Sequence, residues 1–386
     1  MKILSKEGTI LAVVILYMIV IVIWGLAFLQ QAYLNKIVTG GCIRSNQAFW
    51  LAEAGIQDEV GRLTADPNST IFPTDVPFGV GAGASHYTVL VTRADNLYTI
   101  TSTGTVGNTT RTIVSQWRNS FFSGAASAGS TDPGSINLGG TKSGTDSYNS
   151  NVAAYDPANP GHNGDVQTNG SITGNGIIDG NISLGPNATS SVAVTGTVSY
   201  YTSPPMPPVT VPTLTSPEDI GPINGTDYTF TATKDYICGG ISITNNKTVK
   251  VAPGVKVRML LTGPINMNAG SELILESGAS LIIYAQANID ITGNVNVAIG
   301  VPSNLQIYGT SACGSIRIGG TSQLYASIYA PDAILTMDGN NDLFGAFVGS
   351  KVNFNGPPMI HYDEALINWQ PAPGMTFFTR TDWHEE

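Results

Sequence analysis

Charge is scarce in this 386-residue chain: 11% of its residues are Asp, Glu, Lys or Arg, against roughly 25% in an average soluble protein. The cations are scattered, and the net charge is −10. No Lys/Arg run stands ready to displace counterions from phosphates, so nucleic acid is not an expected partner. Cysteine is nearly absent too. Cys42, Cys238 and Cys313 include no CxxC pair, so no zinc site is signalled. Cys238 and Cys313 could pair as a disulfide in an exported chain or stand as two isolated buried thiols, and both readings stay open. A glycine-rich phosphate loop closing on Lys-Ser/Thr is missing as well, which removes the usual nucleotide signature.

What is present is small, polar and apolar. Glycine reaches 44 residues and hydrophobic residues 42%. That apolar share is too large for a disordered chain and sufficient for a sizeable core. The length allows two or three domains. Low charge with many Gly, Asn, Ser and Thr residues suits a β-rich, turn-rich exported protein better than a cytosolic helical enzyme.

Residues 9–30 carry the one long apolar run. The stretch TILAVVILYMIVIVIWGLAFL is uncharged and matches the roughly 20 residues a helix needs to cross a bilayer. It is too long for a signal-peptide core, and no A-x-A site follows. Trp24 and Tyr33 stand near one end, as interfacial aromatics do. Lys2 and Lys6 before the span balance Lys36 and Arg44 after it, so charge alone does not orient it. Helical spacing continues over 31–66 as an amphipathic segment, with Phe49, Ala52, Ile56 and Val60 on one periodicity. Gly40-Gly41 predicts a weak point, and Asp66-Pro67 predicts the helix end.

Glu7-Gly8-Thr9, the apolar span, and Ala48-Phe49-Trp50-Leu51-Ala52-Glu53-Ala54-Gly55-Ile56 together resemble the N-terminal region of PilX-type pilus assembly proteins, which are minor type IV pilin-like subunits. The resemblance implies a cytoplasmic leader of residues 1–8, cleavage between Gly8 and Thr9 by a prepilin peptidase, and a helix that anchors in the inner membrane before packing among like helices in a filament. Val13 stands where major pilins carry Glu. The remainder of the chain is then expected outside the cytoplasm, with other pilin-like subunits and the inner-membrane assembly platform as partners.

Residues 85–118 alternate in the strand period at Tyr87, Val89, Val91, Tyr98 and Ile100, with turns at Ala94-Asp95-Asn96 and Val106-Gly107-Asn108. This predicts a three-stranded antiparallel meander packed on the preceding helix. From 123 to 370 short apolar strands alternate with Gly and Asn. Leu305, Leu324 and Leu343 are nineteen residues apart, and so are Ile316, Leu335 and Phe354. A repeat of that length holding short strands predicts a parallel β-solenoid. A right-handed β-helix is the preferred kind, though the repeat itself does not set the hand, and a β-sandwich with coincidental spacing is the alternative. A proline-rich stretch at 203–218 reads as an excursion from it, because proline cannot donate to a ladder. Residues 371–386 read as a tail. The run FGAFVGSKVNFNGPPMIHYDEAL resembles the C-terminal β-solenoid domain that follows a PilX-like N-terminus in many bacterial proteins. The fold class is therefore mainly β with a long N-terminal α-helix: a transmembrane helix, a small antiparallel sheet and a parallel β-solenoid.

Catalysis is not expected, and neither is a cofactor or a metal. Asp332, Asp338 and Asp342 form the best carboxylate cluster, but Asp338-Gly339-Asn340-Asn341-Asp342 reads as a turn between strands. The spacing of Asp338, Asn340 and Asp342 echoes the start of a calcium loop without its closing bidentate Glu. His361, Tyr362, Asp363 and Glu364 fall where the repeats stop, and they read as a polar cap on the last coil. The expected function is that of a minor pilin-like structural subunit of a type IV pilus or related secretion filament, its solenoid displayed outside the cytoplasm and available for adhesion to a surface ligand. A membrane-bound polymer scaffold of bactofilin type and a cell-surface carbohydrate-active β-helix are the two other readings.

Overall fold

A computed structural model describes residues 6–66, 69, 76–78, 85–140, 143–200, 206–320, 323–338, 342–356, 358–369 and 378–386. The chain is one long apolar N-terminal helix followed by a mostly β remainder, including a small antiparallel sheet. It divides into two compact units, Met1–Arg118 with Arg380–Glu386, and Asn119–Thr379.

In the first unit, helix α1 spans Lys6–Ala65, about 90 Å at 1.5 Å per residue. The helix runs unbroken through Gly40-Gly41, where the sequence suggests a weak point. It is long and apolar enough to cross a membrane. It is followed by β1 (Val76–Phe78), β2 (Ser85–Ala94), β3 (Leu97–Val106) and β4 (Thr109–Asn119), paired antiparallel in that order. Two-residue turns join the last three, and their first residues take positive φ, 53° at Asp95 and 60° at Gly107, which Asp and Gly tolerate. Along β3 burial alternates without a break, so Tyr98, Ile100, Ser102, Gly104 and Val106 all face inward. The C-terminal strand Phe378–Glu385 lies beside β4 as a fifth strand. The sequence predicts only a tail at 371–386, whereas Phe378–Glu385 forms a strand.

In the second unit the strands of the large sheet pair in parallel. Val257 lies beside Leu281 and Leu281 beside Leu305, each 24 residues on. Ile241, Ile265 and Ile289 form a second row with the same step. A four-stranded parallel sheet, Tyr228–Phe230, Thr248–Val251, Glu272–Leu275 and Asn294–Val297, supplies a third row. The nineteen-residue spacing is only partly the register. Leu324 does sit beside Leu343, and Ile316 beside Leu335. Leu305 does not meet Leu324, because Ile307 pairs with Ile328, a step of 21. Leu335 meets Val352 rather than Phe354. The length of each connection varies, so equal spacing in sequence does not mean equal register.

The order of strands in space is not their order in the chain. Ala126–Ala128 sits between Phe347–Gly349 and Val166–Thr168. Ile136–Leu138 sits between Val352–Phe354 and Ile172–Gly174. Beyond them the step shortens to 16 residues, from Val166 to Ile182 to Val198. Residues 126–200 therefore continue the stack that 218–363 begins, although they come first in the chain. The proline-rich segment makes the return. Its Met206 lies against Gly129, Pro207 accepts from the Tyr329 hydroxyl (2.8 Å), and the Thr215 amide donates to Asp235 (2.5 Å). Six ladder steps of ~4.8 Å separate the rows of Gly129 and Asp235, about 29 Å. Nine residues of polyproline geometry at ~3.1 Å each cover about 28 Å. The prolines, which cannot join a ladder, hold the chain extended across the strands. One continuous apolar core runs from Phe121 to Leu366.

Candidate functional site

The helix–sheet contact of the first unit is made by small residues. Ala48, Leu51, Ala52, Gly55 and Ile56 are buried, at helical spacings of three and four that define one face. A Cβ on Gly55 would lie 2.3 Å from Ser102 Oγ and 2.8 Å from a Tyr87 ring carbon. One on Gly104 of β3 would lie 2.1 Å from the Ala48 carbonyl oxygen and 2.7 Å from the Ala52 nitrogen. Backbone thus meets backbone, and the Ala48–Gly55 motif is first of all a close-packing motif.

The rest of the motif faces elsewhere. Glu53 Oε1 accepts from Trp383 Nε1 at 2.6 Å, and Phe49 meets the Trp383 ring edge-on, centroids 6.2 Å apart. Arg111 of β4 binds Glu385 and donates to Ser45 Oγ at 2.8 Å. The C-terminal strand is thereby fixed to α1 as well as to β4. The eight residues of this strand are mostly polar and offer little periodicity, and Phe378 and Trp383 are its only aromatic signals. Trp50 is 68% exposed and Ala54 is also exposed. With Leu51, Gln47 and Ser85 they border a hollow of about 230 Å³.

Nearer the N-terminus, none of the described residues covers the helix. Val13, Trp24 and Tyr33 are exposed, as are the other large apolar side chains from Leu11 to Val38. Gly8 and Thr9 lie within α1. The helix buries one carboxylate farther along: Glu59 is inaccessible, with neither oxygen hydrogen-bonded. Burial raises its pKa.

In the second unit the candidate residues are dispersed. Asp338 is held by Arg317 and by Asn355 Nδ2 (2.9 Å). Its pKa is lowered: burial pushes it up, and the bonds from Arg317 and Asn355 outweigh that. Asp332 is exposed, and Asn340 lies outside the described residues. Among the described residues no group of three or more His, Cys, Asp or Glu side chains could hold a metal ion. Cys238 and Cys313 are separate buried thiols and Cys42 is an exposed one. Burial pushes the Cys313 thiol up to about 11.

The supposed cap is a correction. His361, Tyr362 and Asp363 do not close the stack, because their strand Met359–Asp363 lies between Leu343–Phe344 and Gly144–Tyr148. Strands 126–200, earlier in the chain, have stacked on what the sequence presents as the last coil. His361 Nδ1 lies 2.5 Å from Asp146 Oδ1, and its Nε2 faces Asp342 Oδ2 at 3.7 Å. Tyr362 donates to the Phe122 carbonyl at 2.8 Å. Asp363 accepts from the Ser150 amide and hydroxyl, at 2.9 and 2.6 Å. Glu364 Oε1 accepts from Ser147 Oγ at 2.7 Å and from Asn163 Nδ2 at 2.8 Å. These residues join two halves of the unit; His361, Tyr362 and Asp363 are buried and Glu364 is half-buried.

Residues 218–369 match the model of a family described as a domain of unknown function, DUF7305. The match begins where the proline-rich segment ends, and it leaves strands 126–200 and the first unit outside. No curated protein matches the chain. Among solved structures, the competence-associated pilin ComZ from Thermus thermophilus is similar at 14% identity over 89% of this chain and 97% of that one, with a TM-score of 0.35. A likeness of that size is too slight to carry a function from one protein to the other.

Proposed function

We propose that this protein is a minor pilin-like structural subunit of a type IV pilus or a related secretion filament, of the PilX type, without catalytic activity. One observation carries the reading: a single helix is bare and apolar over its first half, while its second half is packed under a small antiparallel sheet. A bare apolar half needs lipid or like helices around it. A sheet fixed to the other half keeps the exported part attached to that helix. In this reading the N-terminus is cytoplasmic, the helix anchors in the inner membrane, and Gly8-Thr9 is the processing site. The parallel strands of the second unit form a β-solenoid, supported by the recurring 24- and 16-residue steps. It would be displayed outside the cytoplasm, where it could meet a surface ligand.

The scaffold reading, in which coils join end to end, fares less well. Its two ends would need matching outlines, yet the step is 24 residues over Val257–Leu305 and 16 over Val166–Val198. The carbohydrate-active reading needs paired carboxylates, and Asp338 is already committed to Arg317 and Asn355.

The test is the mass of the mature N-terminus in cells with and without prepilin peptidase, with recovery of the protein in sheared filaments. A chain beginning at Thr9 only when the peptidase is present, and found with filaments, is the expected result. A chain beginning at Met1 in both strains, and never with filaments, overturns the reading.

A further inference from the structure

The seam between residues 126–200 and 218–369 has an ionisable group at its centre. The His361 side chain is 4% exposed and that of Asp146 is 7% exposed. Each comes from a different side of the seam, and the two residues are direct ladder partners. Asp342, at the start of the strand Leu343–Asn355, approaches the other ring nitrogen, which is buried and without a hydrogen bond. The Tyr155 ring lies over the imidazole with centroids 3.9 Å apart, and Phe344 lies 4.6 Å away. Tyr155 belongs to the exposed loop 149–163, and its hydroxyl donates to the second Asp146 oxygen at 2.7 Å.

This arrangement suits one protonation state. A neutral imidazole has one N–H and one lone pair. If Nδ1 holds the proton, the Nε2 lone pair faces the Asp342 carboxylate. If Nε2 holds it, the Nδ1 lone pair is 2.5 Å from an Asp146 oxygen. Imidazolium alone presents a donor to each carboxylate. We propose that protonated His361 is a latch across this seam, and that losing its proton loosens loop 149–163 and the contact of strand Gly144–Tyr148 with Met359–Asp363.

The surroundings are consistent with a latch. Tyr148 on the partner strand and Tyr155 in the loop both stay neutral, since burial drives their pKa values far upward. Tyr325, from the neighbouring strand Leu324–Asp338, stacks on the Phe344 ring at 4.3 Å and is also raised by burial. Asp363 and Glu364, on the histidine's own segment, are occupied by Ser150, Ser147 and Asn163. Burial alone would lower the His361 pKa; Asp146 and Asp342 outweigh it, and the net direction is upward. A raised value means that the seam's extra stability is complete below about 6.5, the ordinary histidine value. It is lost as pH rises through the raised value.

The experiment uses the full chain in detergent micelles. Histidine carbon labels follow His361 by NMR, and amide hydrogen exchange of 149–163, corrected for intrinsic rates, is followed from pH 5.5 to 9. Protection of the loop should fall about tenfold for each unit by which the His361 value is raised, beginning near 6.5 and levelling off just above the midpoint of the NMR titration. His361→Asn should remove the step. Asp342→Asn, at a half-exposed position, should move the NMR midpoint and the levelling-off down together and serves if the His361 variant does not fold. A loop whose protection does not change with pH, a step that survives in His361→Asn, or a midpoint unmoved by Asp342→Asn overturns the proposal.

Discussion

Single residues in this protein are governed by what meets them in the folded chain. Glu59 is the clearest case. It follows Asp58 on α1 and would be an ordinary surface carboxylate on an isolated helix, yet it is buried with no hydrogen bond to either oxygen. Burial of the charged form raises its pKa. The native state therefore resists its ionisation, and the stability it permits below the ordinary carboxylate range is lost as pH rises through the raised value. Glu59→Gln removes the charge at similar size. It should stabilise the first unit by about 1–3 kcal/mol at pH 8 and by less at pH 5, read from thermal unfolding of both proteins at the two pH values. Trp50 is the opposite case, exposed on a packed element. Trp50→Ala should change monomer stability by no more than about 0.5 kcal/mol. It should reduce recovery in filaments if the hollow beside it receives a neighbouring subunit, so melting and filament pull-down are measured on the same variant.

At the scale of elements, close backbone approach and an ion pair set the tolerances. Gly104 has two backbone atoms of α1 where a Cβ would stand, and Gly55 has a Ser102 hydroxyl and a Tyr87 ring. Side chains can move more cheaply than a helix. Gly104→Ala should therefore cost more than Gly55→Ala, about 3 kcal/mol against about 1 kcal/mol, measured by chemical denaturation. The proline-rich segment depends on Asp235, which binds the Thr215 amide and also Arg258 Nε at 2.8 Å. Arg258 is the main reason that the Asp235 pKa is lowered. Its contribution is present above about 3.9, the ordinary aspartate value, and fades as pH falls through the lowered one. Asp235→Asn should lose about 3 kcal/mol at pH 7 and flatten the acid limb of the stability curve. Proteolysis should then reach 206–217 before the rest of the unit.

Much of this level is readable in the chain. The helix, its end near Asp66 and the β2–β4 turns follow from a 3.6 period, a 2.0 period and turn residues. Those are local properties, and each residue there agrees with its neighbours. The face made by Ala48, Ala52 and Gly55 was legible as a motif, though its physical content, contact with Gly104, was not. The pairing of Trp383 is not legible because two aromatics, Phe378 and Trp383, among eight otherwise polar residues specify no partner.

For the whole molecule, the chain by itself determined a bare apolar helix, a small antiparallel sheet and many short strands with turns between them. Those follow from hydrophobic spacing and from Gly, Asn and Pro, which act within a few residues. Only the tertiary structure decided which strand lies beside which. Every short parallel strand offers the same amide and carbonyl edge, so Phe347–Gly349 can bond to Ala126–Ala128 as well as to any neighbour in sequence. The choice was made by closing one core from Phe121 to Leu366, which put His361 inside a seam and sent the prolines back along the strands. A polar cluster at the last repeat looks like an end in sequence, and it became a centre because the chain had already laid down the parallel strands that cover it.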